Sequence, residues 1–179
     1  MRVRRAAARD VKAAVALAVE AAPERRPEAW RAVLEEERQH PERLLLVAEA
    51  DGAVVGYGRT SLLDELAAAP RGYYLTGLFV RPASRRAGVG AALTEARLRW
   101  IAERADEAWF FANARNVASI ALHRRFGFEE VTRDFAIPGV TFDGGEGILF
   151  RSPLRAWRQR VPDGSAELGV GRCGGQCDA

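Results

Sequence analysis

Cysteine is nearly absent from this sequence of 179 residues, which has only Cys173 and Cys177, both close to its end. Histidine is equally rare, at His40 and His123, and no Gly-x-Ser-x-Gly motif occurs. We therefore expect no disulfide framework, no cysteine nucleophile in the folded part and no Ser-His-Asp triad. A metal site is not expected either, because the Cys-x₃-Cys pair has no histidine or second cysteine pair beside it.

The sequence also lacks long apolar runs, and Lys12 is its single lysine. No apolar stretch reaches the length of a membrane-spanning helix, and charges at Arg9, Asp10 and Glu20 interrupt the N-terminal region that could imitate a signal peptide. The net charge is +3, and acids alternate with arginines along the chain. These features predict a cytoplasmic protein with neither a membrane nor a nucleic acid as its partner.

The chain has the length of one domain. We place this domain at residues 1–153, because from about Arg155 the sequence becomes charged and then rich in glycine. Residues 154–179 are therefore predicted to form a largely disordered tail.

Apolar periodicity and turn residues predict seven strands and four helices, an α/β (α+β) fold with a mixed sheet. The first helix should follow Asp10, the second should begin at Pro27, the third should span 89–104, and the fourth should lie between Asn116 and Gly127. The predicted strands are 3–7, 44–48, 54–61, 73–80, 108–112, 128–137 and 147–151.

The most informative segment is Arg-Arg-Ala-Gly-Val-Gly at 85–90, between a predicted strand and a predicted helix. The first amides of a helix lack intrahelical acceptors, and glycine allows an anion to approach the backbone. The segment therefore predicts a phosphate site, and the alternative is an ordinary turn before a helix. It is not a P-loop, because Gly90 is followed by Ala91 and Ala92, nor a dinucleotide fingerprint, because Leu93 replaces the third glycine.

A second motif begins at Asn116, which can cap a short helix that Gly127 ends in a left-handed conformation. Together the two motifs resemble the GNAT family of N-acetyltransferases, over about 73–128 in detail and about 1–153 in the order of elements. The matching positions of the family's two motifs are Arg85, Gly88, Gly90, Asn116, Ser119, Leu122, His123, Gly127 and Phe128.

The resemblance implies a GNAT-like fold with a splayed parallel strand pair. It also implies transfer of an acetyl group from acetyl-CoA, by direct attack, to a primary amine of a small molecule or peptide. Two alternatives stay open: a non-catalytic acyl-CoA-binding module, and an acyltransferase that uses another acyl group or nucleophile. A homodimer is also left open.

The resemblance assigns the coenzyme contacts in three groups. Asn116, Ser119 and His123 would contact the pantetheine arm or the thioester. Backbone groups of Leu78, Phe79 and Val80 would pair with the arm. Amides of the turn would hold the pyrophosphate, at Arg85, Arg86, Ala87, Gly88, Val89, Gly90 and Ala91. Relatives often have glycine at the position of Arg86, for which we expect a negative φ and an added phosphate contact.

Catalytic roles are predicted for His123 and Asn116. His123 stands where the family usually has a tyrosine that protonates the departing thiolate. The alternatives for His123 are a helix-face position near solvent and a packing role in place of that ring. The general base is open, since the family's glutamate position is Gly77 here. Candidate bases are Glu49, Asp64, Glu65, Asp143 and Glu146, and the loops 61–71 and 138–146 are expected to wall the acceptor side.

Overall fold

The structure, a computed structural model, describes residues 1–64, 66–142 and 144–158. Its helices are α1 (Val11–Ala21), α2 (Pro27–Gln39), α3 (Val89–Ala102), α4 (Val117–Arg124) and a final single turn, α5 (Arg155–Arg158). Its strands are β1 (Arg2–Arg5), β2 (Arg43–Ala50), β3 (Ala53–Leu63), β4 (Gly72–Val80), β5 (Glu107–Asn113), β6 (Glu129–Thr132) and β7 (Gly147–Pro153).

The seven strands form one sheet in the order β1-β2-β3-β4-β5-β7-β6. All neighbouring pairs are antiparallel except β4 and β5, which run parallel and pair only at Tyr74 with Trp109 and at Leu75 with Phe110. The predicted mixed sheet and the parallel pair at its centre are thus confirmed.

Helices cover both faces of the sheet, because successive residues of its central strands point to opposite faces and both sets are apolar. Leu45 and Val47 of β2 pack with α1 and α2, whereas Leu44 and Leu46 pack with α3 and α4. The predicted inner face of α1 is confirmed, since all four of its members are buried: Val11, Ala14, Val15 and Ala18.

A third apolar cluster lies on the same face as α1 and α2. Tyr74 belongs to it, whereas its strand neighbours Tyr73 and Leu75 belong to the cluster under α3 and α4. Leu66 of the loop 61–71 and Val140 of the loop 138–146 pack against this cluster. The loops therefore meet on one face of the sheet, beside the parallel pair.

A β-bulge interrupts the pairing of β3 with β4. Arg59 pairs with Gly77, but Thr60 pairs with Leu75, so Thr76 is the extra residue on β4. A bulge bends its strand and increases the local twist. It directly follows Leu75, the last residue of β4 that pairs with β5, and this bend accompanies the separation of the two strands.

Three predictions about elements need correction. The strand predicted at 128–137 ends at Thr132, whose hydroxyl accepts a hydrogen bond from the amide of Asp134 and so turns the chain. The first strand is Arg2–Arg5 rather than 3–7. Asp10 precedes α1 as predicted, but its carboxylate accepts from Arg4 and from the amide of Ala7 rather than capping the helix.

The predicted tail lies mostly outside the described residues, which end at Arg158. Within them, Leu154 is buried and Trp157 packs against Phe126. The chain therefore contacts the domain for some residues beyond 153, and the disorder of the later segment, with Cys173 and Cys177, stays a prediction.

Candidate active site

The turn before α3 has an unusual backbone. Gly88 adopts φ 80 and Arg86 adopts φ 63, so two residues out of three lie in the left-handed region. Such alternation directs successive amides toward one side and creates an anion-binding concavity. The expectation of a negative φ at Arg86 is therefore wrong, and for a side chain with a Cβ this conformation costs about 1 kcal/mol.

Gly90 lies where the first turn of α3 meets its neighbours, and a Cβ there would make ordinary van der Waals contacts. A Cβ placed there would lie 3.4 Å from Leu122 of α4 and 3.7 Å from Leu78 of β4. The first turn of α3 thus approaches both neighbouring elements closely. Its unpaired amides and the positive end of its dipole face the space beside the end of β4.

The end of β4 has an open edge. After Leu75, the described residues of β5 no longer pair with it. Leu78, Phe79 and Val80 are only half-buried, although they lie in the centre of the sheet. The carbonyl of Val80 accepts a hydrogen bond from Nε of Arg85 at 3.1 Å, and the pairing of 78–80 with an extended pantetheine arm stays a prediction.

Asn116 and Ser119 lie at the start of α4. The side-chain oxygen of Asn116 accepts a hydrogen bond from the amide of Ser119 at 3.2 Å, so Asn116 is the N-cap predicted from the sequence. Asn116 is exposed and Ser119 is half-buried. Their contacts with a coenzyme and the catalytic role of Asn116 stay predictions.

His123 lies inside the molecule and is 1% exposed. Its ring stacks on Phe110 with 3.7 Å between ring centroids. Nδ1 lies 2.8 Å from the carbonyl oxygen of Ser119, to which it donates, so Nε2 carries the lone pair and has no partner among the described residues. Burial and then the charge of Arg97 lower the pKa of His123 to about 3.

These contacts favour the packing role of His123 over the donor role. The single N–H proton of the neutral ring is on Nδ1, which donates it to the carbonyl of Ser119. Nε2 therefore has no proton to give to a thiolate. The donor role stays a prediction, which would require a change of tautomer.

Sequence reasoning missed Arg97, which is 0% exposed. It occupies the apolar face of α3 beside Leu93, and its Nη1 donates to the carbonyls of Arg59 and Gly77, each at 3.1 Å. Gly58 leaves room for it, since a Cβ there would lie 3.0 Å from its Nε. Arg97 follows Leu93 by four residues, a spacing that places both on the same helix face. Arginine is so common in this chain that this position was not singled out from the sequence.

A polar cluster on the opposite face was also missed. Glu37 of α2, 3% exposed, accepts from Nη2 of Arg59 at 2.8 Å and from the hydroxyl of Ser61 at 2.9 Å. The Ser61 hydroxyl lies 3.4 Å from that of Thr76 in the bulge. Two hydrogen bonds therefore connect the half-buried Thr76 to a buried carboxylate.

The candidate bases that the structure describes are either paired with an arginine or exposed. Glu49 pairs with Arg4, and Glu146 pairs with Arg133. Asp64 is exposed. Glu65 and Asp143 lie outside the described residues. None of these observations assigns the base.

The two motifs thus converge where β4 and β5 separate, with the turn before α3 on one side and α4 on the other. A family model described as "Acetyltransferase (GNAT) family" matches residues 11–128, more than half of the chain. The chain belongs to the GNAT family of acetyltransferases. Most of the described sheet, from β2 to β5, and both motifs lie within the matched segment.

Two curated relatives support this placement. A mycothiol acetyltransferase from Actinosynnema mirum is 37% identical over 86 residues, which are 48% of this chain and 28% of the relative. An N-alpha-acetyltransferase from Sulfurisphaera tokodaii is 29% identical over 121 residues, which are 63% of this chain and 71% of the relative. This GNAT chain thus spans only 28% of the length of the first relative.

The fold of this GNAT protein is also found among solved structures. A Salmonella typhimurium protein solved with its cofactor acetyl-CoA matches with a TM-score of 0.68 at 22% identity, over 86% of this chain and 94% of that one. At this identity the likeness establishes the fold alone. In the part of the chain that the structure describes, no helix is both long enough and apolar enough to span a membrane.

Proposed function

We propose that this GNAT protein transfers the acetyl group of acetyl-CoA to a primary amine of a small molecule or peptide. The observation that carries the proposal is the opening between β4 and β5, which ends beside the left-handed turn before α3. An extended thioester with a pyrophosphate requires this combination of an open strand edge and an anion site.

In this proposal the turn 85–91 binds the pyrophosphate and the backbone of 78–80 pairs with the pantetheine arm. The thioester then lies near Asn116, Ser119 and His123. Direct attack requires no covalent intermediate with the enzyme. The rate acceleration then comes mainly from positioning the amine against the thioester carbonyl.

The amine approaches from the face that carries α2 and the two acceptor loops. Aromatic side chains pack against one another on this face, including Tyr74, Phe111 and Phe142. The relative from Sulfurisphaera tokodaii is an N-alpha-acetyltransferase, which supports a peptide amine as one acceptor class. A cytoplasmic location, where the two cysteines would stay reduced, and a homodimer also belong to the proposal.

Calorimetry and turnover test this function together. Acetyl-CoA should bind at one site per chain and stabilise the fold by about 2.7 kcal/mol at a hundredfold excess over Kd. Coenzyme release should then appear with at least one member of a broad panel of amines. Absence of binding would defeat the proposal, binding without any turnover would indicate the acyl-CoA-binding module, and turnover only with longer acyl groups would indicate the other acyltransferase.

His123→Phe adds a test of the predicted catalytic role, because it retains the ring volume and removes both nitrogens. A proton donor predicts a fall in kcat of about 10² with unchanged coenzyme affinity. The contacts of His123 lead us to expect a kcat close to that of the wild type.

A further inference from the structure

Arg97 is a buried cation that has no counter-ion among the residues that the structure describes. In the described part of the chain it makes no ion pair, and its hydrogen bonds go to neutral oxygens: Leu93 O at 3.3 Å, Arg59 O and Gly77 O at 3.1 Å, and Thr94 Oγ1 at 3.0 Å. Burial lowers the pKa of Arg97 to about 9, which still leaves it charged at neutral pH.

Such a residue is costly to the fold. Removing a full charge from water without an opposite charge nearby is unfavourable, and an apolar side chain would pack at this position of α3 without that cost. The four hydrogen bonds leave one of the five N–H donors of the guanidinium without an acceptor among the described residues, and they leave its charge unbalanced.

Arg97 lies where the active site opens. At the bulge, its Nη1 donates to one carbonyl of β3, at Arg59, and to one carbonyl of β4, at Gly77. The bulge directly follows the last residue pair between β4 and β5. Its field also reaches α4, because the charge of Arg97 contributes to the lowered pKa of His123.

The other charged and titratable groups nearby do not neutralise it. The guanidinium of Arg59 points to the opposite face, where it pairs with Glu37. His123 is neutral, and its Nε2 holds no proton for a leaving group. The chemistry of the site, however, creates a negative charge: the amine nitrogen bonds to the thioester carbon, the C–S bond breaks, and the electron pair remains on sulfur.

We propose that Arg97 is the fixed positive charge that stabilises the coenzyme A thiolate as it departs, in place of a proton donor. The amine's own proton leaves to solvent or to a base, so the products are the amide, the thiolate and a proton. The inference rests on the proposed function, because it requires coenzyme A to occupy the opening. A preorganised charge of this kind acts without reorganisation during the reaction.

The decisive measurement is the thiol pKa of bound coenzyme A. It is followed by the ultraviolet absorbance of the thiolate at saturating coenzyme, with a coenzyme analogue that lacks the sulfur as the blank. A free thiol titrates near 8.5. In the wild-type complex we expect the pKa to be lower than that of free coenzyme A by about one unit or more.

Variants assign the effect to Arg97. Arg97→Met should return the bound thiol to within about half a unit of the free value and lower kcat about 10²-fold, with little change in the KM for acetyl-CoA. Arg97→Lys should keep most of the shift, because it keeps the charge. Arg99→Met is the matched control, since Arg99 lies on the exposed side of α3 and pairs with Glu95, and it should change neither quantity.

The outcomes separate the two proposals. If coenzyme A does not bind to the wild type, the proposed function itself fails. If it binds and its thiol titrates as in free solution, or if Arg97→Met retains the lowered value, the inference about Arg97 alone is overturned. If Arg97→Met does not fold, Arg97→Gln, which removes the charge but keeps a hydrogen-bonding side chain, takes its place with the same expected result.

Discussion

The turn proposed to bind phosphate contains two residues with a left-handed backbone, Arg86 and Gly88, and this conformation would direct its amides toward one side. Gly88 is exposed, and a Cβ placed on it would have no atom within 4 Å. A larger residue there would therefore act through backbone conformation rather than through a clash in the core.

We expect Gly88→Val to weaken acetyl-CoA binding by tenfold or more, about 1.4 kcal/mol, while the protein still folds. A β-branched side chain disfavours positive φ strongly, so the turn would rearrange and its amides would no longer converge. Isothermal titration calorimetry measures the change.

Gly52→Val is the matched control for this substitution. Gly52 has φ 74 and equally open surroundings, but it lies in the hairpin between β2 and β3. It should lower the melting temperature without changing the affinity for acetyl-CoA. Normal coenzyme binding by Gly88→Val would show that the phosphates lie elsewhere.

Among the elements, α2 is joined to the sheet by a buried ion pair. Glu37 holds Arg59 and Ser61 of β3, and the Arg59 side chain is itself only 15% exposed. This junction lies beside the bulge, so the position of α2 is coupled to the geometry of β4.

Glu37→Ala should lower the free energy of unfolding by about 3 kcal/mol or more, because it leaves the Arg59 guanidinium buried and unpaired. Urea denaturation measures the loss. The neighbouring Glu36→Ala removes an exposed pair with Arg43, and it should cost about 1 kcal/mol or less. Equal losses in the two variants would mean that the buried pair does not anchor α2.

For the whole molecule, the buried His123 makes stability depend on pH. Its pKa is about 3 in the folded state and 6.5 when exposed, so between these values the unfolded chain binds a proton that the native state does not. The stabilisation is complete above about pH 6.5 and is lost as the pH falls toward 3.

We therefore expect the free energy of unfolding to fall below pH 6.5 by up to about 1.4 kcal/mol per pH unit from this residue alone. His123→Phe should remove that part of the slope between about pH 4.5 and 6.5, as measured by urea denaturation at several pH values. His40→Phe, at an exposed position, should leave it unchanged. Parallel slopes in wild type and His123→Phe would contradict the burial of a neutral ring.

Much of the fold could be predicted because its signals are local. Alternating apolar residues, Asp51-Gly52 in the hairpin, Pro27 at the start of α2 and Asn116 before α4 each determine structure within a few residues. Apolar periodicity placed all seven strands and the four main helices, and the two motifs indicated the family, whereas the coenzyme contacts stay a prediction. The end of β6 was missed, because a turn at Thr132 interrupts a sequence that otherwise favours a strand.

The sequence by itself thus determined the order of elements, the family and the turn that is proposed to bind phosphate. Only the tertiary structure decided the charges and protonation states of the site. Whether Arg97 faces solvent or the sheet, and whether His123 has a free N–H, depend on contacts between residues far apart in the chain. Those contacts determine the burial and the local dielectric around each charge, which no local sequence pattern encodes. They favour a packing role for His123 and leave Arg97 as the buried charge near the site.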